Sequence, residues 1–100
     1  MSNPWLGQNP SELVRSLRML ADDLEQLSQG RAPSPPGGIV KIRDFIVSQR
    51  TVPCLVGRMS GHPHIREGSA GMSTELYYVN KQSGIVRSFN RFYRLIGEPI

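Results

Sequence analysis

Leucines recur near the N-terminus at the spacing of one helical face. Within residues 9–30 the intervals between successive leucines are four, three, four and three residues, and charged residues fall on the opposite face. The five positions are Leu13, Leu17, Leu20, Leu24 and Leu27. The pattern predicts an amphipathic helix as the N-terminal segment, residues 1–30.

Both ends of this helix carry sequence signals. Asn9 is a good capping residue, Pro10 suits the first helical position and Glu12 completes a capping box. Gly30 favours a left-handed stop. Because a short helix needs a partner surface, the leucine stripe predicts either docking on the chain's own sheet or self-association as a homodimer.

A Pro- and Gly-rich stretch, RAPSPPGG at residues 31–38, predicts a linker. The apolar positions in the following run, IVKIRDFIVSQR, have helical spacing, so a short second helix is expected over residues 39–49. The β-branched residues of this run favour a strand as the alternative.

After Arg50 the pattern becomes that of short strands. The run VPCLV before Gly57, the segment STELYYVN and the segment GIVRSFN predict strands, with KQSG as the turn between the last two. The segment GHPHIREGSAGM predicts a loop, and RFYRLIGEPI a last turn or strand that closes the sheet. Residues 39–100 are thus expected to form a small α+β domain with an antiparallel sheet, and an SH3-like, partly open barrel is the alternative.

Positive charge is concentrated after residue 30. Residues 1–30 hold two cationic and four acidic side chains, whereas residues 31–100 hold ten cationic and four acidic ones. Eight of those ten are arginines, and the isoelectric point is near 9.8. The planar guanidinium binds phosphate and carboxylate groups well, so the balance favours an acidic partner. The alternative is ordinary solubilising charge, since a net charge of +4 is common for a small domain.

Length and composition bound the class of protein. The 100 residues fit one compact domain. No apolar stretch approaches the about 18 residues of a membrane-spanning helix, and the N-terminus lacks the pattern of a secretory signal. The one cysteine builds no internal disulfide. A cytoplasmic protein without membrane association is therefore expected.

Cys54, His62 and His64 form the most enzyme-like cluster, because a thiol and imidazoles can bind zinc or make a nucleophile pair. The sequence lacks a fourth ligand at recognisable spacing and an orienting third group. Cys54 lies in an apolar run and is expected to be buried. We therefore expect no enzyme activity, no metal site and no cofactor.

Arginines alternate with aromatic residues near the C-terminus. If residues 87–94 formed one strand, the side chains on one of its sides would be those of Arg87, Phe89, Arg91 and Tyr93. A face of this kind can stack bases and neutralise phosphates. Phe92 and Leu95 are instead expected in the core, because so small a chain has few large apolar residues to spare.

Three segments carry a resemblance to a known family: GHPHIREG, STELYYVNKQSG and IVRSFNRFYRL. They resemble a family of short uncharacterised proteins from alphaproteobacteria and their mobile elements, which share a Gly-His-Pro turn and a terminal Arg-Phe-Tyr-Arg-Leu motif. The resemblance covers about residues 39–100. This chain has Ser73-Thr74 at the strand start, and Ser88 with Asn90 before Arg91, where the family pattern has Thr and Ser. The resemblance implies a small accessory protein of a bacterium or phage, with an inhibitory or anti-defence role, and supplies no catalytic residue.

A non-catalytic binding protein is the function that these patterns favour. The first hypothesis is an accessory factor or inhibitor whose basic sheet and His-containing loop bind an acidic protein surface or complex. The alternative is a DNA- or RNA-binding protein that uses the basic and aromatic face. The candidate binding residues are Arg58, His62, His64, Arg66, Lys81, Arg87, Arg91 and Arg94.

Overall fold

A computed structural model describes residues 3–98 of the chain. These residues divide into two compact units, residues 8–49 in one and residues 3–7 with residues 50–98 in the other. Among the described residues the first unit holds the one helix and the second holds the five strands. The α+β class predicted from the sequence is confirmed.

The helix, α1 (Pro10–Ser28), begins and ends where the capping signals predict. The Asn9 side-chain oxygen accepts hydrogen bonds from the backbone N–H groups of Ser11 (2.9 Å) and Glu12 (3.2 Å), which would otherwise lack helical partners. Gly30 follows the C-terminus with a φ of 77°, a left-handed conformation that glycine adopts without strain. No residue of α1 is buried, so its leucine stripe is available as a surface.

The predicted second helix over residues 39–49 is wrong. These residues form neither helix nor strand, and all are exposed. Asp44 has a φ of 51°, and a left-handed residue breaks the right-handed hydrogen-bond pattern. The β-branched side chains of this run lower its helix propensity, and no packing compensates because none of them is buried.

The strands form two antiparallel sheets. β1 (Val56–Arg58) pairs with β2 (Ala70–Met72), and β3 (Leu76–Asn80), β4 (Ile85–Ser88) and β5 (Phe92–Arg94) form a three-stranded sheet in that order. β2 lies in the segment that was expected to be a loop. Both sheets are open, so the alternative of an SH3-like barrel is wrong.

Ser73 connects the residues before β1 to the residues before β3. Its hydroxyl oxygen accepts the backbone N–H of Leu55 at 2.8 Å, and its own N–H donates to the Leu55 carbonyl at 2.8 Å. A further bond runs from the Leu76 N–H to the Pro53 carbonyl at 2.9 Å. Ser73 is buried, so these bonds satisfy polar groups that water does not reach.

The buried apolar residues of this unit are few. Met59 and Leu76 are buried, and Val86 at the centre of β4 has no exposed surface. Cys54 is exposed, so the expectation of a buried thiol is wrong. Leu55 beside it is half-buried, and in extended chain successive side chains point to opposite sides.

Candidate functional site

A turn at residues 88–91 separates β4 from β5. The buried Ser88 hydroxyl oxygen accepts the backbone N–H groups of Asn90 and Arg91, each at 3.2 Å, and the Ser88 N–H donates to the Arg91 carbonyl at 2.9 Å. Residues 87–94 are therefore not one strand, and the expected alternation of their side chains is wrong. The turn separates β4 from β5, so the side chains before and after it do not follow one alternating pattern.

The strand register defines a face of the three-stranded sheet. Arg87 on β4 lies opposite Tyr78 on β3 and Phe92 on β5, and directly paired residues project from the same side of a sheet. The neighbouring row, Val79, Val86 and Tyr93, lies on the other side. Because Val86 is fully buried, that other side is the core side and the Arg87 side is the open one.

Arg87 and Phe92 are in direct contact on this open face. The guanidinium carbon of Arg87 lies 5.0 Å from the centroid of the Phe92 ring, within the range of a cation–π interaction. Phe92 is nevertheless 66% exposed, so the expectation that it belongs to the core is wrong. Leu95 is also exposed. Both residues lie at or beyond the short edge strand, where no further strand covers them.

A second row of three residues extends the open face. Asn80, Ile85 and Arg94 are register partners across β3, β4 and β5. The Asn80 side-chain amide donates to the Tyr78 hydroxyl at 3.2 Å, which orients the phenol ring. Arg94 is exposed, so the open face carries two arginines and two aromatic rings, distributed over the three strands.

Sequence reasoning did not nominate Tyr78 or Trp5. The Trp5 ring packs edge to face on Tyr78, with ring centroids 5.0 Å apart, and the Val79 N–H donates to the Pro4 carbonyl at 2.8 Å. The alternation of Tyr78 and Asn80 with Val79 was the available signal for a polar, aromatic side of β3. No local signal pairs residues 3–7 with a strand more than 70 positions away.

Side-chain hydrogen bonds stabilise the loop between β1 and β2, residues 59–69, which we call the histidine loop. Nδ1 of His62 accepts the backbone N–H groups of His64 (3.0 Å) and Ile65 (3.1 Å). The Glu67 carboxylate accepts the Gly61 N–H at 3.1 Å and the Ser60 hydroxyl. These bonds lower the pKa of Glu67 and hold the loop in one conformation.

His62 lies close to positive charge. Desolvation lowers the pKa of its imidazole, and the charges of Arg91 and His64 lower it further. The His62 and His64 rings are 6.1 Å apart. An imidazole whose Nδ1 accepts two N–H groups must be unprotonated at that nitrogen, so the loop geometry and the direction of the shift agree.

The structure places the predicted binding residues in different parts of the sheet unit. Arg87 and Arg94 share the open face, whereas Arg91 lies beside the histidine loop. The other predicted positions are Arg66 in the histidine loop, Lys81 in the β3–β4 turn and Arg58 on β1, whose guanidinium donates to the Gly68 carbonyl at 3.2 Å. The candidate site is therefore the open face, and the histidine loop is a second positive region.

Within residues 3–98 no group of three or more His, Cys, Asp or Glu side chains is arranged to hold a metal ion. In the same part of the chain no helix is long and apolar enough to cross a membrane.

The fold and the site define a class: a small α+β protein with an open antiparallel sheet whose outer face combines arginine and aromatic side chains. Comparison of the chain with family models, with curated proteins and with solved structures finds no match.

Proposed function

We propose that the protein is a small non-catalytic binding protein that holds an acidic macromolecule on the open face of β3, β4 and β5. The observation that supports this is the pair of Arg87 and Phe92, which stack on each other on the side of the sheet opposite the buried Val86. Exposed arginines and aromatic rings are the side chains that most often dominate binding surfaces.

Charge supports the same proposal. Residues 50–98 carry seven cationic and three acidic side chains. A cationic surface of this kind attracts an acidic partner and speeds its association at low salt. An acidic protein surface and a nucleic acid would each bring anionic groups to Arg87 and Arg94. An accessory or inhibitory role in a bacterium or phage, in the cytoplasm, is part of the proposal.

Binding of two polyanions to the full-length chain tests the proposal. The probes are poly-L-glutamate and a single-stranded oligothymidylate, measured by fluorescence anisotropy at near-physiological salt. We expect the double variant Arg87→Gln/Arg94→Gln to bind at least one probe about tenfold more weakly than the wild type.

The matched control is the double variant Lys41→Gln/Arg43→Gln, which removes the same charge from exposed positions of the other unit. Its affinity should stay within about twofold of the wild-type value, because long-range charge effects are screened at this salt concentration. Equal losses in the two double variants would contradict the proposal, since binding would then depend on net charge and not on the open face.

Self-association through α1 belongs to the proposal as well. Leu20, Leu24 and Leu27 remain about half exposed. The charged side chains of α1 lie on the opposite face, so a second copy that packs on the leucines buries no charge. Leu13 and Leu27 each lie seven residues from Leu20, so two antiparallel copies can align their outer leucines around a central Leu20 pair.

A further inference from the structure

The open face arranges its rings and charges in a regular pattern. Tyr78, Arg87 and Phe92 form one row across three strands, and Arg94 lies in the next row, two residues from Phe92 on β5. Adjacent strands are about 4.8 Å apart, so the two aromatic positions are about 10 Å apart. The row therefore presents two aromatic side chains on either side of Arg87, whose guanidinium lies over the Phe92 ring.

We infer that the ligand of this face is a single-stranded nucleic acid, bound with little sequence preference. This inference rests on the proposed function and names the partner of the same site. The bases stack on Phe92 and Tyr78, and the guanidinium groups of Arg87 and Arg94 neutralise phosphates. Stacking of this kind accepts any base, because every base has an aromatic face.

The exposed Phe92 ring, with the half-buried Tyr78 ring in the same row, favours a nucleic acid over an acidic protein surface. Carboxylates are recognised by the guanidinium groups alone and make no use of a phenyl ring that is 66% exposed. A base covers the ring and a phosphate pairs with the neighbouring arginine, so one ligand uses both kinds of side chain. The strands are short, which suits contact with two or three nucleotides and not with a long duplex groove.

The contact between Arg87 and Phe92 also preorganises the site for ligand binding. A guanidinium already placed over the ring loses less conformational freedom when a ligand binds. The hydrogen bond from Asn80 to the Tyr78 hydroxyl and the edge contact from Trp5 fix the second ring in the same way. Preorganised stacking positions of this kind distinguish a binding platform from incidental surface aromatics.

The test is the affinity of the full-length chain for labelled single-stranded oligothymidylate, oligouridylate and a DNA duplex of the same length. We expect both single strands to bind more tightly than the duplex. Phe92→Ala should weaken single-strand binding about tenfold, and Phe92→Tyr should restore it. Arg94→Gln should reduce the slope of log affinity against log salt by about one.

Two matched control variants distinguish binding at the open face from a general effect of surface rings and charges. Phe89→Ala removes a similarly exposed ring from the β4–β5 turn, and Lys41→Gln removes one positive charge from an exposed position of the other unit. Both variants should bind within about twofold of the wild type. Circular dichroism checks that Phe92→Ala folds, which its exposed position makes the expected result.

The outcomes separate this inference from the proposed function. If Phe92→Ala binds oligothymidylate as well as the wild type, the stacking inference is overturned. If poly-L-glutamate binding depends on Arg87 and Arg94 while no oligonucleotide binds, the inference is overturned and the proposed function stands with an acidic protein as partner. If neither probe depends on the open face, both are overturned.

Discussion

The Trp5 indole meets the Tyr78 ring edge to face, with centroids 5.0 Å apart and ring planes at 71°. Beside this contact the Val79 N–H donates to the Pro4 carbonyl. β3 is an edge strand of its sheet, so the N-terminal residues occupy an edge that would otherwise expose unpaired backbone groups. The contact therefore stabilises the sheet and protects it from pairing with other chains.

Replacing Trp5 tests this contribution. Trp5→Ala should lower the free energy of unfolding by about 2 kcal/mol, because it removes the aromatic pair and exposes the Tyr78 ring. Trp5→Phe keeps a ring in place and should retain most of the stability. Urea unfolding followed by circular dichroism measures both. An unchanged midpoint for Trp5→Ala would show that residues 3–7 do not stabilise the sheet.

Local signals explain why the helix could be predicted. The capping residue Asn9, the first-turn proline and the left-handed Gly30 all act within one or two turns of the chain. The leucine spacing adds a pattern of the same short range. The helix wrongly predicted over residues 39–49 rested on apolar spacing without capping residues. The spacing of apolar residues does not reveal the left-handed conformation of Asp44.

The candidate site depends on contacts that the sequence does not display. Simple alternation along residues 87–94 places side chains on the wrong faces of the sheet. The reason is the turn at residues 88–91, which the Ser88 hydroxyl stabilises. Phe92 is a core residue by type, but the register places it on the open face of the edge strand β5, where it is exposed. The predicted arginines are exposed or half-exposed, but their division between two regions follows from the sheet register and not from any local pattern.

Gly71 on β2 lies against side chains that leave no room for a methyl group. A Cβ atom there would come within 2.6 Å of Ile65 Cδ1 and 3.1 Å of Met59 Cγ. Gly71→Ala should therefore lower the free energy of unfolding by about 1 kcal/mol, since the flexible end of Ile65 can move only partly away. Thermal or urea unfolding measures the change.

The register partner of Gly71 provides the control. Gly57 on β1 lies directly opposite, and a Cβ atom there would meet nothing within 4 Å. Gly57→Ala should leave the stability unchanged or raise it by about 0.5 kcal/mol, because alanine reduces the freedom of the unfolded chain. Equal destabilisation by both substitutions would contradict the packing explanation for Gly71.

The leucine stripe of α1 makes a prediction about oligomeric state. Light scattering should show a mass that rises with concentration above the 11.2 kDa of one chain. Leu24→Glu should keep the mass at that of one chain, because a charge in the apolar seam opposes pairing. Met19→Glu is the control, since Met19 is exposed on the same helix outside the stripe, and it should behave as the wild type. A wild type of constant monomer mass would contradict self-association.

The stability of the histidine loop is expected to depend on pH. Protonation of Nδ1 would remove the acceptor for the His64 and Ile65 N–H groups and place a second charge near Arg91. In the folded chain the pKa of His62 is lowered by desolvation first, then by the charge of Arg91 and then by that of His64. In acid the unfolded chain therefore binds more protons than the folded chain does. The stabilisation of the loop is therefore complete above the unfolded pKa of about 6.5 and is lost as the pH falls through the lower folded value.

Amide hydrogen exchange by NMR between pH 7.5 and 5 measures this loss. After correction for intrinsic rates, the protection of the Ile65 amide should fall toward pH 5 in the wild type and in His64→Gln, which keeps the acceptor. His62→Ala should show low protection throughout. The lowered pKa of Glu67 keeps its carboxylate ionised over this range, so its bonds to Ser60 and Gly61 do not add to the change. Protection of Ile65 that is constant with pH in the wild type would show that His62 does not hold the loop through Nδ1.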